Sequence, residues 1–448
     1  MKIKIILVGL IANCIGLAAQ ETYNLKIEIP LYEFPQNSEL PYSYPSMNQS
    51  LEWSHGLYEF GFLGIDKLGD LIFKPGADSY SKFKNLGNNI FKYAAGLAFA
   101  KYGSELPIPL GVWAHEEFHR SVLGVRNVSS LNGNWIFNRW DGTVYGVSDV
   151  TLSTLKLNDT RHLLYSYVSG VQYEVLLNEK ITLDDFYSKK TFSKGPLALH
   201  NAYYVWDYFR FASSSASDSA KILSPPHEDA SPSERDFAGS DLNSWVYDMF
   251  NPEVPFIFGR DAFPGGTGLN RRIGFSDLAP QEQDYLKEQK NLSLLNFINP
   301  SIFLINRIKL SDNFSFSFFA RYAPLHFGNV ISVFLPFKTS NTGYLINIHK
   351  YSNYSSEGYG IGGGLYNLKT FDKLASDIRV DIWDQPISFF GTTREKGGSV
   401  ILKMKYMFNK SLSAFVQGGY KTRGWLMGNP YLNENFSVGT GISFYILD

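Results

Sequence analysis

Beyond Asn299 the chain alternates side chain by side chain, and that period-two pattern constrains its fold more than any other feature. In NFSFSFFARY, Phe314, Phe316 and Phe318 alternate with Ser315, Ser317 and Phe319. In SVILKMKYMF, Val400, Leu402, Met404 and Tyr406 alternate with Ile401, Lys403 and Lys405. Asp377, Arg379 and Asp381 alternate with Ile378, Val380 and Ile382, and the run from Phe436 to Ile446 behaves likewise. Successive side chains of a strand point to opposite faces, so each run predicts a strand with an apolar and a more polar side. Short turns such as Ser311-Asp312-Asn313 and Asn409-Lys410-Ser411 join runs of roughly ten residues, the pattern expected of a membrane barrel.

Aromatic residues make up 16% of the chain, and Tyr322, Tyr351, Trp383 and Trp425 fall near strand ends, where interface girdles would sit. The region resembles Gram-negative outer-membrane β-barrels. That resemblance implies an antiparallel, transmembrane barrel of about 8–10 strands over residues 299–448, outer-membrane lipid as a partner and an outer-membrane location. The alternative is a soluble antiparallel sandwich or barrel, which has to account for charges lying opposite unbroken hydrophobes in successive strands.

The other end of the chain is consistent with export. MKIKIILVGLIANCIGLAAQ places Lys2 and Lys4 before an apolar run ending in small residues, and reads as a secretory signal peptide over residues 1–20. Cys14, the single cysteine, leaves with it, so the mature chain forms no disulfide and any metal site must use His, Asp and Glu. Without Lys2 and Lys4, 39 basic residues face 42 acidic ones, which gives no electrostatic reason to expect a nucleic-acid partner. No other apolar run is long enough for a spanning helix, so a mature chain that crosses a membrane must do so as a barrel.

Residues 21–298 read as mainly helical, although Leu25, Ile27 and Ile29 alternate with Lys26 and Glu28 in one early strand. Helices are predicted over 81–103, over 111–124 after Pro107 and Pro109, over 159–180 with Asn158 or Asp159 as cap, from Pro196, near 242–250 and from Pro280. The Ser/Pro-rich segment near 213–240 reads as a mobile connection. The fold class is therefore α+β, a helical region followed by the strand region. FPGGTG at 263–268 is turn chemistry, and GYGIGGGL at 358–365 suits a tightly curved strand rather than a phosphate loop.

One segment carries chemistry. GVWAHEEFHRSVLG, residues 111–124, holds His115 and His119 four apart, stacked on one side of a helix, where both imidazoles can reach one metal ion. Glu116 lies one step round, placed to take a proton from an activated water rather than to bind the ion. Leu110, Ala114, Phe118, Val122 and Val125 form an apolar stripe that packs this helix into a core. A chance match to H-E-x-x-H is expected about once in a hundred such chains. The alternative is a pair of core or surface histidines with ordinary hydrogen bonds.

The segment resembles the active-site helix of zincin metallopeptidases, which implies bound Zn2+ and a peptide or protein substrate. The branch with a third histidine is excluded, because Val122 and Val125 occupy its glycine and histidine positions. The gluzincin branch remains, in which a later glutamate completes the site. On the 159–180 helix, Leu164, Tyr167 and Val171 mark an apolar seam that continues through Glu174 and Asn178. Glu174 is the third-ligand candidate, and Asn178 stands where that branch often has aspartate. His162, off the seam, and His200 are rivals for the ligand position. His200 and Asp207, two turns on, are also candidates for supporting the site, while Arg120, Arg271 and Arg272 are candidates for an exposed face or a substrate contact.

Two functions follow from these expectations. One is a zinc-dependent hydrolase, most naturally a peptidase, attached to the outer membrane through the barrel. The other is a non-enzymatic barrel serving as pore, anchor or assembly factor, with a helical plug and at most a structural metal. An open coordination position would separate them.

Overall fold

The computed structural model describes residues 23–41, 44–76, 81–133, 142–187, 194–221, 236–257, 260, 271–339 and 342–447. The signal-peptide reading, residues 222–235 of the Ser/Pro-rich connection and the FPGGTG turn lie outside the described residues.

The chain begins with strand β1 (Tyr23–Phe34) and then enters helix α1 (Met47–Phe73). Ser46 and Gln49 start α1 with a reciprocal cap: the Gln49 N–H donates to Ser46 Oγ at 3.0 Å and the Ser46 N–H to Gln49 Oε1 at 2.8 Å. Helix α2 (Ser81–Ala98) runs into a π turn over Phe99–Gly103 and is followed by α3 (Gly111–Gly124), the histidine helix. A two-stranded ribbon, β2 (Leu131–Asn132) with β3 (Val144–Tyr145), precedes α4 (Asp149–Tyr187).

At Asp159 the backbone of α4 leaves helical geometry (φ −154°, ψ 69°), and its carboxylate accepts the N–H of His162 at 3.3 Å, restarting the helix beyond a kink. Helices α5 (Gly195–Ala212), α6 (Asp241–Phe250) and α7 (Pro280–Ser293) complete the helical layer. Helix α4 runs through its centre, packed against α3, α5 and α6 on one hand and the sheet on the other. Tyr165, Tyr167, Val168, Val171, Tyr173 and Leu177 are all fully enclosed, so this helix is buried nearly all round.

The strands after residue 307 are β4 (Ile308–Ser311), β5 (Phe314–Phe316), β6 (Phe319–Leu325), β7 (Gly328–Thr339), β8 (Thr342–Ser352), β9 (Glu357–Phe371), β10 (Leu374–Pro386), β11 (Arg394–Met407), β12 (Leu412–Lys421) and β13 (Asn435–Leu447). With β1 they make an eleven-stranded antiparallel sheet in the order β1-β13-β12-β11-β10-β9-β8-β7-β5-β4. On the free side of β7, β6 pairs with Gly328–Phe334 and β5 with Phe337–Thr339.

The alternation seen in the sequence is present. Val333, Ile346, Ile348, Ile361, Ile382, Val400 and Phe436 point outward and are exposed. The intervening polar side chains face the helices, where burial obliges charges to find partners. Glu179 of α4 receives Arg321 from β6 and, at 2.8 Å, Arg379 from β10. Arg379 also meets Asp381, which accepts from Asn347 at 2.8 Å. Glu28 of β1 pairs with Lys26 on its own strand at 3.2 Å and, across the sheet, with Lys403 of β11 at 2.6 Å.

Closure is where the structure departs from expectation. Strands β1 and β4 stand at opposite ends of the strand order and do not pair with each other among the described residues, so the sheet is open and the transmembrane barrel is not formed. Tyr322, Tyr351, Trp383 and Trp425, expected in interface girdles, are instead buried. No helix of the described residues is long and apolar enough to cross a membrane. The resemblance to outer-membrane barrels, and with it the expected lipid partner, outer-membrane location and barrel-anchored function, is thereby corrected. Alternation reports which face each residue occupies. Closure depends on strand tilt, stagger and the meeting of first and last strands, which alternation does not encode.

Burial opposes the charge on Glu179, but Arg379 and Arg321 outweigh it and hold the carboxyl below its ordinary range. A depressed carboxyl contributes stability above its unfolded-state pKa and loses it as pH falls through the folded-state value. Glu179→Gln is therefore expected to cost about 2 kcal/mol at neutral pH, moderated by the partial exposure of Arg379. The difference from wild type should shrink as pH falls below about 4. Urea denaturation across that range measures both; a cost independent of pH would remove the ion-pair explanation.

Candidate metal centre

Helix α3 spans the predicted residues and buries its stripe: Leu110, Ala114, Phe118 and Val122 are enclosed, and so are His115 and His119. The two rings lie 4.9 Å apart between centroids, as stacking one turn apart requires. Each is oriented from behind. His119 donates Nδ1–H to the carbonyl oxygen of Ser166, and His115 presents Nδ1 to the Glu174 carboxylate, 3.1 Å from each oxygen. A carbonyl or carboxylate can only accept, so both imidazoles carry their proton on Nδ1 and turn the Nε2 lone pair forward.

What faces the two Nε2 atoms is Asp241, the first residue of α6. Its Oδ2 lies 3.5 Å from His119 Nε2 and 3.9 Å from His115 Nε2. His115, His119 and Asp241 thus form a buried three-donor cluster capable of holding a metal ion. A tetrahedral centre with bonds of about 2 Å needs donor separations of about 3.3 Å, close to those found. Tyr208 of α5 fixes the carboxylate, donating to Asp241 Oδ2 at 2.8 Å. The preceding turn is set by Gly239, whose φ of +76° suits glycine, with Arg272 donating to its carbonyl at 2.9 Å.

Two observations show that the cluster fits an ion. His119 Nε2 is buried without a hydrogen-bond partner, an arrangement that is costly unless something else occupies its lone pair. Opposite both rings stands Gly170 of α4: a Cβ there would lie 2.2 Å from His119 Nε2 and 2.4 Å from His115 Nε2. The missing side chain leaves open the space that both nitrogens face. Without an ion, burial opposes a second proton on His115, yet Glu174, Tyr204 and Asp241 raise its pKa well above the ordinary value, while burial lowers that of His119.

Glu116 is buried beside the cluster, and burial, reinforced by Asp241, Asp236 and Glu174 against the opposing effect of His115, pushes its carboxyl up to about 8. Glu174, expected on the ion, is fully buried on the seam but stands behind His115, against the nitrogen that faces away from Asp241. The three donors that lie together among the described residues are His115, His119 and Asp241, and Glu174 meets His115 at its other ring nitrogen.

The supporting candidates make the following contacts. Asn178 clamps α4 to α5, donating to the Ala198 carbonyl at 2.9 Å and accepting from Asn201 at 3.0 Å. His200 is 3.5 Å from Ser104 Oγ, and Asp207 pairs with Arg210 on its own helix. His162, the other rival ligand, pairs with Asp159 at the kink. Arg120, Arg271 and Arg272, read as exposed or substrate-facing, are buried: Arg120 bonds Glu117 and Ser130, and Arg271 joins Asp149 to the Val147 carbonyl.

Sequence reasoning missed Asp241, Gly170 and Tyr208. An aspartate after Gly-Ser at a helix start has the ordinary meaning of a first-turn acid, and only the tertiary fold turns it toward two histidines more than a hundred residues away. Comparison with protein-family models, curated proteins and solved structures finds no match to this chain.

Proposed function

We propose that the chain is a zinc-dependent hydrolase whose chemistry is that of a metallopeptidase, the hydrolysis of an amide bond. The observation that carries this reading is the buried His115/His119/Asp241 cluster with a carboxyl group, Glu116, next to a ligand histidine. Zn2+ suits two imidazoles and a carboxylate, and when bound supplies Lewis acidity toward water and a carbonyl oxygen. His115, His119 and Asp241 hold the ion in this reading.

Glu116 takes the proton from the attacking water on one carboxylate oxygen and returns it to the departing amine nitrogen, so the carboxyl group ends as it began. Its placement out of water raises its pKa, which makes the ionised carboxylate a stronger base than an exposed one. Glu174 keeps the His115 proton on Nδ1 and its lone pair forward, the Ser166 carbonyl does the same for His119, and Tyr208 holds the carboxylate of Asp241.

The test is metal analysis of the purified chain alongside hydrolysis of a fluorogenic peptide library. His115→Ala is expected to lose zinc. Glu116→Gln is expected to retain zinc and lose turnover, an outcome that a purely structural metal would not give. Absence of bound metal after exposure to excess zinc, or full activity in Glu116→Gln, would overturn the reading.

Glu174 supplies a graded prediction. As an orienting partner rather than a donor to the ion, its replacement in Glu174→Gln should weaken zinc binding by roughly 10–100-fold without abolishing it. Chelator competition reads the change, and complete loss would return Glu174 to the ion.

A further inference from the structure

A second site is built where β6 turns into β7 and the β12–β13 connection folds over α4. A cavity of 360 Å³ lies there, within the size range of small-ligand sites. Phe327 and Trp425 give it an apolar wall, and Arg161, Arg423, His326 and Glu395 bring charge and polarity. It shares no lining residue with the metal cluster. On α4, Arg161 stands nine residues before Gly170, about 13 Å along a helix axis.

The charge balance of this cavity is uneven. Neither Arg161 nor Arg423 has an ion pair or a side-chain hydrogen bond among the described residues, although both are exposed at the cavity and Glu395 is the acid of its lining. Arg126 and His162, close by, share a single carboxylate, that of Asp159. Lys421, buried at the end of β12, donates to three backbone carbonyls, those of Thr422 at 3.1 Å, Gly424 at 2.8 Å and Asn433 at 2.8 Å, and meets no carboxylate among the described residues. The cavity lining therefore holds two guanidinium groups, Arg161 and Arg423, against one carboxylate, that of Glu395.

His326 adds the second observation. It is 5% exposed, and its Nδ1 is buried with no hydrogen-bond partner, a loss that a polar group tolerates only where a ligand or water completes it. Burial, with Arg161, His162 and Lys421 adding to it, holds its pKa well below the ordinary histidine value, so the ring is neutral and carries one N–H that it can donate. Gln385 braces the wall by exchanging two 2.8 Å bonds with the Trp425 backbone, which keeps the indole in place.

We propose that this cavity binds a small organic anion, its carboxylate or phosphate held by Arg161 and Arg423, its apolar body against Phe327 and Trp425, and its inner edge accepting from His326 Nδ1. Guanidinium forks match both oxyanions, and unpaired ones present no internal carboxylate to displace.

Thermal unfolding of the full chain tests this, with sodium phosphate and sodium benzoate titrated at constant ionic strength against sodium chloride. A ligand that binds only the folded state raises Tm saturably. A rise of several degrees is expected with at least one probe. It should vanish in the Arg161→Gln/Arg423→Gln double variant, whose Tm without probe should stay within about a degree of wild type because both side chains are exposed. His326→Phe, which removes the inner donor and fills the cavity, should weaken the same probe by at least roughly tenfold. Response to phosphate alone assigns the phosphate class, and response to benzoate assigns a ring-bearing carboxylate. No saturable rise with either probe, or a rise that the double variant retains, overturns the proposal.

Discussion

Gly170→Ala is expected to abolish metal binding while leaving the helix that carries it intact. Alanine is favoured over glycine in a helix interior by roughly 1 kcal/mol, so the backbone of α4 gains by the change. The new methyl group, however, would stand 2.2 Å from His119 Nε2 and 2.4 Å from His115 Nε2, well inside any non-bonded contact. Neither ring can swing aside cheaply, since the Ser166 carbonyl holds one and Glu174 the other. The methyl group therefore takes the place in front of both lone pairs, and the loss should exceed the roughly 10–100-fold caused by removing an orienting partner. Chelator competition gives the affinity, and circular dichroism checks that the fold persists. Asp241→Ala, which removes a donor without adding volume, should lose metal by the opposite route. Wild-type zinc affinity in Gly170→Ala would show that the ion does not sit between these nitrogens.

The metal helix was legible because its signal is local. Four-residue spacing stacks His115 on His119, and the stripe from Leu110 to Val122 announces burial, so residues 111–124 form a helix with the limits read from sequence. The seam through Leu164, Tyr167 and Val171 correctly placed Glu174 inside, but a seam gives the face of a helix and not its distance from a particular nitrogen. Asp241 was invisible for a related reason: its partners lie on another helix, and one acid at a helix start is common.

The strands repeat the lesson at larger scale. Period two located polar and apolar faces from Phe314 to Ile446, and it placed Leu25, Ile27 and Ile29 in a strand, but it could not tell that β1 would end at one edge of an open sheet. The charges that lie opposite the hydrophobic face are matched by helix residues such as Glu179. The Ser46–Gln49 cap, a readable start signal, also shows that α1 could have been drawn from sequence.

Asp248→Asn should be the costliest polar substitution in the helical layer and should weaken the metal site from a distance. Asp248 is fully enclosed on α6, two turns beyond Asp241. Its oxygens accept from Lys156 at 2.9 Å, from Arg260 at 3.1 and 3.0 Å, and from Tyr167 at 2.9 Å. Burial alone would raise its pKa, but Arg260 and Lys156 bring it below the ordinary value, so it is ionised in the folded chain. Neutralising it leaves two buried cations facing an amide, a change that in other proteins costs about 3–5 kcal/mol. Because Lys156 and Tyr167 belong to α4 and Asp248 to α6, the same contacts hold Asp241 in register with Gly170 and the two histidines. Urea denaturation is expected to show the lost stability, and chelator competition a lower zinc affinity in protein that is still folded. Replacing the group by apolar residues, Asp248→Leu with Lys156→Met and Arg260→Leu, should restore much of the stability, since a buried ion network is often no better than well-packed hydrophobes. If α6 is positioned by these bonds rather than by packing alone, zinc affinity should not recover with it. A cost below about 1 kcal/mol in Asp248→Asn would contradict the assignment of these groups as a fully desolvated network.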